Sequence, residues 1–330
     1  MKKHLGTAIK LIASLGVGLF IVWYTFSRLT PEDRDTMRTA FANANYWWLL
    51  AGALLNLGSN YFRTQRWRML LKPLGYVPGF VNTFFSIMVM YFANLLFPRL
   101  GEVLRCEILR RYEKIPIHKS IGTMVTERVV DLLSLFVVGG LLILVEKERF
   151  YQSLSETRGI LKNFGNSPIY TYILFGVIAL AVLFIAYKVI TDKKWIGKII
   201  AFLRGIFEGL KSILKTRNIP LFVFHTIAIW ACYFANTYIC FFALVETAHL
   251  SPLAGLGATF FGALAYSAVQ GGIGAYPLVI KYFLIAYGIA APVGFAFGWL
   301  AWSFVTAMVI AVGVVSLIIL AIYNKSNEPQ

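Results

Sequence analysis

Glu127, Arg128 and Asp131 fall together inside a run that is otherwise apolar. Glu127 and Asp131 are four residues apart and share a helix face, and Arg128, three before Asp131, can pair with it. On a helix that begins near residue 119 they sit about 10–15 Å from its start. Charged groups at that depth in a bilayer are costly and mark one of two things. One is a structural ion pair that locks two helices together. The other is a polar site for a lipid headgroup or a coupling ion.

A second group is Arg99, Glu102 and Arg105, three residues apart on one face of a helix that follows Pro98. Pro98 interrupts the preceding helix and frees backbone groups, and Gly101 permits close approach. A guanidinium can take a phosphate through two parallel hydrogen bonds. An arginine at a broken helix is therefore a place to hold a phospholipid or polyprenyl-phosphate headgroup. The blander alternative is an interfacial Arg–Glu pair that steadies the turn. A third group, Arg63, Arg66 and Trp67, shares a face by its spacing. It reads either as anchoring on the basic side of a membrane or as headgroup contact.

The run Gln270–Pro277 holds Gly271, Gly272, Gly274 and Pro277 in apolar surroundings. Ending in proline, it reads as a turn at membrane depth, not a nucleotide loop, since it lacks a Walker lysine and a preceding strand. No Ser/His/Asp or Cys/His arrangement stands out. Three cysteines without a CxxC pair and four scattered histidines suggest neither disulfides nor a metal, and no cofactor is expected.

These residues need elements to hold them, and composition says which. Of 330 residues, 58% are hydrophobic and 14% charged. A soluble domain is nearer a quarter charged. This excludes an ordinary cytosolic enzyme, a disordered chain and a nucleic-acid-binding domain, and leaves an all-α polytopic membrane protein. Its net charge of +16 fits basic loops on the cytoplasmic side.

Apolar runs place spans at about 5–27, 45–63, 119–145, 168–190, 219–245 and 293–323. The first is too long for a signal-peptide core and reads as a retained span. Tyr46, Trp47 and Trp48 form an interfacial cluster. The stretch 80–97 is flanked by basic residues on both sides, so both flanks belong in the cytoplasm. It is too short to cross twice and reads as a re-entrant hairpin. The stretch 252–290, broken at its glycines, reads as a second hairpin from the opposite face. The expected architecture is six spanning helices and two re-entrant hairpins meeting near the midplane, in one domain over 1–330, with both termini cytoplasmic. Span–hairpin–span then occurs twice in opposite orientation, the inverted repeat of many transporters; the alternative is eight plain spans with a less tidy charge distribution. Residues 194–215 alternate apolar and basic faces at helical spacing and read as an amphipathic helix on the inner leaflet.

The ordered set Arg63 to Arg68, Asn94 to Arg105, Thr126 to Asp131 and Gly271 to Gly274 resembles the flippase-like family. This is the membrane region of lysyl-phosphatidylglycerol synthases, also found as stand-alone proteins. The similarity covers about residues 8–322. It implies an inner-membrane protein that moves a lipid between leaflets. In bifunctional relatives the region translocates aminoacylated phosphatidylglycerol made by a following aminoacyl-transferase domain. That domain is not expected here, where the chain runs seven residues past the last span. The resemblance implies that Arg99, Glu102, Glu127, Arg128 and Asp131 line the lipid pathway. Many relatives carry Arg-Glu after the second glycine motif, where this chain has Tyr276 and Pro277.

The expected function is therefore a transporter of a phospholipid, aminoacylated lipid or polyprenyl-phosphate-linked lipid, without enzyme chemistry. Its partners would be membrane lipids and a separate lipid-modifying enzyme, with no nucleic acid. Two alternatives stay open. One is a membrane transferase using Glu127 or Asp131 as acid or base. The other is a non-transporting partner that recruits a synthase through 194–215.

Overall fold

The computed structural model describes residues 16–97, 100–146 and 218–326, which hold helices and no strand. Pro98, Arg99, the expected span at 168–190, the amphipathic helix at 194–215 and the first half of the first span lie outside the described residues.

The described helices are α1 (Gly16–Ser27), α2 (Pro31–Asn43), α3 (Tyr46–Leu71), α4 (Phe80–Leu96) and α5 (Leu100–Glu113). They continue with α6 (Ile117–Val145), α7 (Ile219–Cys240), α8 (Pro252–Ala268), α9 (Ala275–Ile285) and α10 (Ala291–Ser326). Local sequence starts them. The Thr30 hydroxyl and Asp33 carboxylate cap α2 reciprocally ahead of Pro31. The Asn45, Asn218 and Ser251 side chains accept backbone N–H groups at the starts of α3, α7 and α8.

Among the described residues three helices are long and apolar enough to cross a membrane: Ile117–Val145, Ile219–Ala243 and Ala291–Lys325. Their outward faces are apolar and bare, with Phe136, Leu144, Ile227 and Ile322 all more than 60% exposed. Water does not tolerate such a surface and a bilayer does. α3 has 26 residues, about 39 Å of helix, but its last turns carry Arg63, Arg66 and Arg68, which lower its hydropathy.

α4 and α5 form an antiparallel pair. Near its tip Gly101 meets Met90 and Asn94, and at its base Asn82 donates to the Glu113 carboxylate at 2.7 Å. The expected hairpin within 80–97 is thus corrected. That stretch is one arm only, and the second arm is 100–113. Hydropathy missed it because the helix is rich in charge, of which Glu102, Arg105 and Glu113 find partners on other helices while Glu107, Arg110 and Arg111 face outward. α8 and α9 form the other pair, with Phe283 against Gly257 and Tyr276 against Gly262.

Long helix, hairpin, long helix therefore occurs twice. α3 and α7 run antiparallel: Gly52 lies beside Cys240 and Asn236, while Arg66 reaches Thr226. Each hairpin also packs on the helix that closes the other half, α4 on α10 with Phe92 against Gly313, and α8 on α6 with Phe260 against Gly139. The hairpin tips touch. The Gln270 amide donates to the Asn94 and Leu95 carbonyls at 3.0 and 3.4 Å, which the end of α4 leaves without helical partners.

The two ends of the bundle differ in charge. One end gathers the base of α4–α5 and the end of α10, where Asn82 and Asn324 exchange hydrogen bonds. Lys72, Arg110, Arg111, Lys114, Lys119 and Lys325 lie there with Glu107 and Glu113. At the other end the Asn45 N–H meets the Ala243 carbonyl and Tyr287 donates to Glu146. Glu32, Asp33, Asp35, Glu146 and Glu246 lie there with Arg28, Arg34, Arg38 and Lys281.

Candidate functional site

The charged residues singled out by spacing converge where α3, α5 and α6 meet. α6 brings Glu127, Arg128 and Asp131, α3 brings Arg63 and Arg66, and α5 brings Glu102 and Arg105. The helical period supplies each contact. Glu127 and Asp131, one turn apart, both face Arg66, whose Nη2 lies 2.6 Å from Asp131 and 3.7 Å from Glu127. Arg63, one turn earlier on α3, reaches Asp131 at 2.9 Å. From the other side Arg105 Nη2 reaches Glu127 at 2.9 Å.

The cluster has a closed part and an open part. Arg66, Arg105 and Glu127 have fully buried side chains, and Arg63 is 3% exposed. The Arg105 guanidinium stacks over the Trp67 ring at 4.3 Å, and the Trp67 indole donates to the Thr123 hydroxyl at 2.9 Å. This is an interior lock held by charge contact and ring stacking, in which the Arg105 guanidinium nitrogens and both Glu127 oxygens make no hydrogen bond among the described residues. The open part is Arg128, 40% exposed, whose Nε lies 3.2 Å from Glu102. Asp131 stands between the two parts, 3.9 Å from Arg128.

Several expectations change. Trp67 is wholly buried and stacked on an arginine, so it is not an interfacial anchor. Arg128 pairs more closely with Glu102 than with Asp131, because Arg63 and Arg66 already occupy the Asp131 oxygens. Gly271, Gly272 and Gly274 all have φ between 62° and 68° at the second tip, which only glycine adopts cheaply. Pro277 is not in that turn. It lies in the first turn of α9, its backbone pressed against Gly298. Gly101 lies in the first turn of α5, its N–H donating to the Asn94 side chain at 2.9 Å.

Some participants carry no sequence signal of their own. The Tyr233 hydroxyl accepts from Arg63 at 3.0 Å and Thr226 from Arg66 at 3.4 Å, both from α7, 160 or more residues away in sequence. Met90 offers its sulfur to Arg128 at 3.9 Å. Only the antiparallel pairing of α3 with α7 brings the first two into place. Among the described residues no group of three or more His, Cys, Asp or Glu could hold a metal ion.

Residues 11–323 match the family described as the lysylphosphatidylglycerol synthase TM region. A UPF0104 membrane protein of Methanocaldococcus jannaschii is 29% identical over 113 residues, 32% of this chain and 34% of that protein. The chain thus aligns with about a third of the length of that relative. No solved structure matches. Nearly the whole chain, charged cluster and both hairpins included, falls within the family match, and the protein belongs to the lysylphosphatidylglycerol synthase TM region family.

Proposed function

We propose that this protein moves a lipid with a polar headgroup between the leaflets of a bilayer. In this reading α4–α5 and α8–α9 are re-entrant hairpins that enter from opposite faces, and the basic end of the bundle is cytoplasmic. The observation that carries it is the charged cluster beside the first hairpin. Four arginines (Arg63, Arg66, Arg105, Arg128) face three carboxylates (Glu102, Glu127, Asp131), an excess of one positive charge. A headgroup crossing bare hydrocarbon loses its hydration at a cost of several kcal/mol. A partly open ion-pair cluster beside bare apolar helices offers it substitute partners while the fatty chains stay in lipid.

The test uses full-length protein in liposomes that carry lipids with labelled headgroups. A membrane-impermeant quencher outside reports the exchange of label between leaflets. The expected result is faster exchange for at least one lipid class, lost in Asp131→Asn. No acceleration for zwitterionic, anionic, aminoacylated or polyprenyl-phosphate lipids, from folded protein, would sink the reading. Chemical turnover of the lipid in the same vesicles would favour a transferase instead.

A further inference from the structure

The four arginines of the cluster are not equivalent. Arg63 donates to Asp131 and Tyr233, and Arg66 to Asp131 and Thr226 with Glu127 beside it, all inside the protein. Arg105 is enclosed by Glu127 and Trp67. Arg128 differs in its access. Like Arg105 it brings its five N–H donors within 3.5 Å of a single oxygen among the described residues, here Glu102 Oε1, but it is 40% exposed where Arg105 is fully enclosed. Its other neighbours, Asp131 Oδ2 and the Met90 sulfur, both stand at 3.9 Å.

The surroundings are apolar and open. Leu132 and Phe136 follow Arg128 at successive four-residue steps on α6, 45% and 68% exposed. Leu100 and Val103 flank Glu102 on α5, 40% and 52% exposed. A guanidinium with spare donors thus stands at one end of a bare apolar stripe, inside a cluster with one surplus positive charge. A single negative charge would neutralise that cluster, and a fatty chain would cover the stripe.

We propose that Arg128 seats the phosphodiester of a membrane lipid and that Glu102 is its displaceable place-holder. Two phosphate oxygens take the guanidinium face to face. Glu102 is released, which loosens α5 from α6 at the exposed side while Arg105–Glu127 still holds the interior. The fatty chain lies along Leu132 and Phe136. This deepens the lipid-moving reading and rests on it for the choice of a lipid over a soluble anion.

The test is lipid binding to full-length protein in detergent, read by native mass spectrometry. The probes are dioctanoyl phosphatidylmethanol, whose headgroup carries no charge beyond its phosphodiester, dioctanoylglycerol and inorganic phosphate. The phosphodiester lipid is expected to bind best. Arg128→Gln should weaken it about tenfold or more. Glu102→Gln should tighten it roughly three- to tenfold, since a partly exposed pair no longer competes. Weaker or unchanged binding in Glu102→Gln overturns the proposal, as does full binding in Arg128→Gln. Inorganic phosphate binding as well as the lipid overturns it too and marks a soluble-anion site. Should Arg128→Gln not fold, the direction of the Glu102→Gln change decides alone. Transport is read separately. The expected binding pattern without any transport removes the lipid-moving reading and leaves the seat, whereas transport without the binding pattern removes the seat alone.

Discussion

Glu127 is the residue on which the interior of the cluster turns, because two fully buried guanidinium groups, Arg66 and Arg105, depend on it. Removing one partner of a buried pair leaves a charge with neither water nor counter-ion, which costs about 3–5 kcal/mol. Arg66 keeps Asp131 at 2.6 Å, so most of the penalty falls on Arg105. Glu127→Gln should therefore lower stability in detergent by about that amount. Arg105→Met should also be costly through its lost stacking on Trp67. Together they should cost less than the sum of the two, since the second change removes the charge the first one stranded. Thermal unfolding of the singles and the double decides it. Strict additivity would mean that the two groups do not compensate each other.

The helices that carry these residues were legible in the sequence to different degrees. The apolar helices α6, α7 and α10 fall close to the expected runs because hydropathy reports them directly. The glycine turn of the second hairpin was legible because positive φ has a residue signature. α5 was legible as a helix after Pro98 from the spacing of Glu102 and Arg105, but not as the second arm of the hairpin, because the pairing of those two residues with Glu127 and Arg128 of α6 is a fact of tertiary structure and not of local pattern. The same holds for Tyr233 and Thr226, which no local spacing links to Arg63 and Arg66.

Packing of the first hairpin depends on Gly101. A methyl there would strike the Met90 carbonyl oxygen and the Asn94 side chain that caps α5. Gly101→Ala should push α5 off α4 and cost about 1–3 kcal/mol or more. Gly140, in mid-α6, has nothing within 4 Å of where a Cβ would stand. There, Gly→Ala should stabilise the helix by about 0.5–1 kcal/mol. Opposite shifts in the unfolding temperature are the expected result. Equal shifts would mean that α4 and α5 do not approach this closely.

At the scale of the whole molecule, the two halves share a layout but not a chemistry. All seven residues of the charged cluster belong to the first half, and among the described residues the second half contributes to their hydrogen bonds the neutral hydroxyls of Tyr233 and Thr226. The halves meet through the antiparallel α3–α7 pair and through the Gln270 amide on the end of α4. In the proposed reading the two hairpins, whose tips touch, enter from opposite faces, and the basic end of the bundle is the one expected to face the cytoplasm. This gives a test that needs no knowledge of the lipid. His118 is exposed at the start of α6, on the basic end, and His249 is exposed just before α8, on the other. Of the native thiols, Cys106 and Cys240 are buried and Cys232 is partly so. After Cys232→Ser, a membrane-impermeant maleimide applied to intact cells should label His249→Cys and spare His118→Cys, and inside-out vesicles should show the reverse. If both sites react from one face, the hairpins do not enter from opposite sides, and a path that relies on their tips meeting inside the bilayer is lost with them.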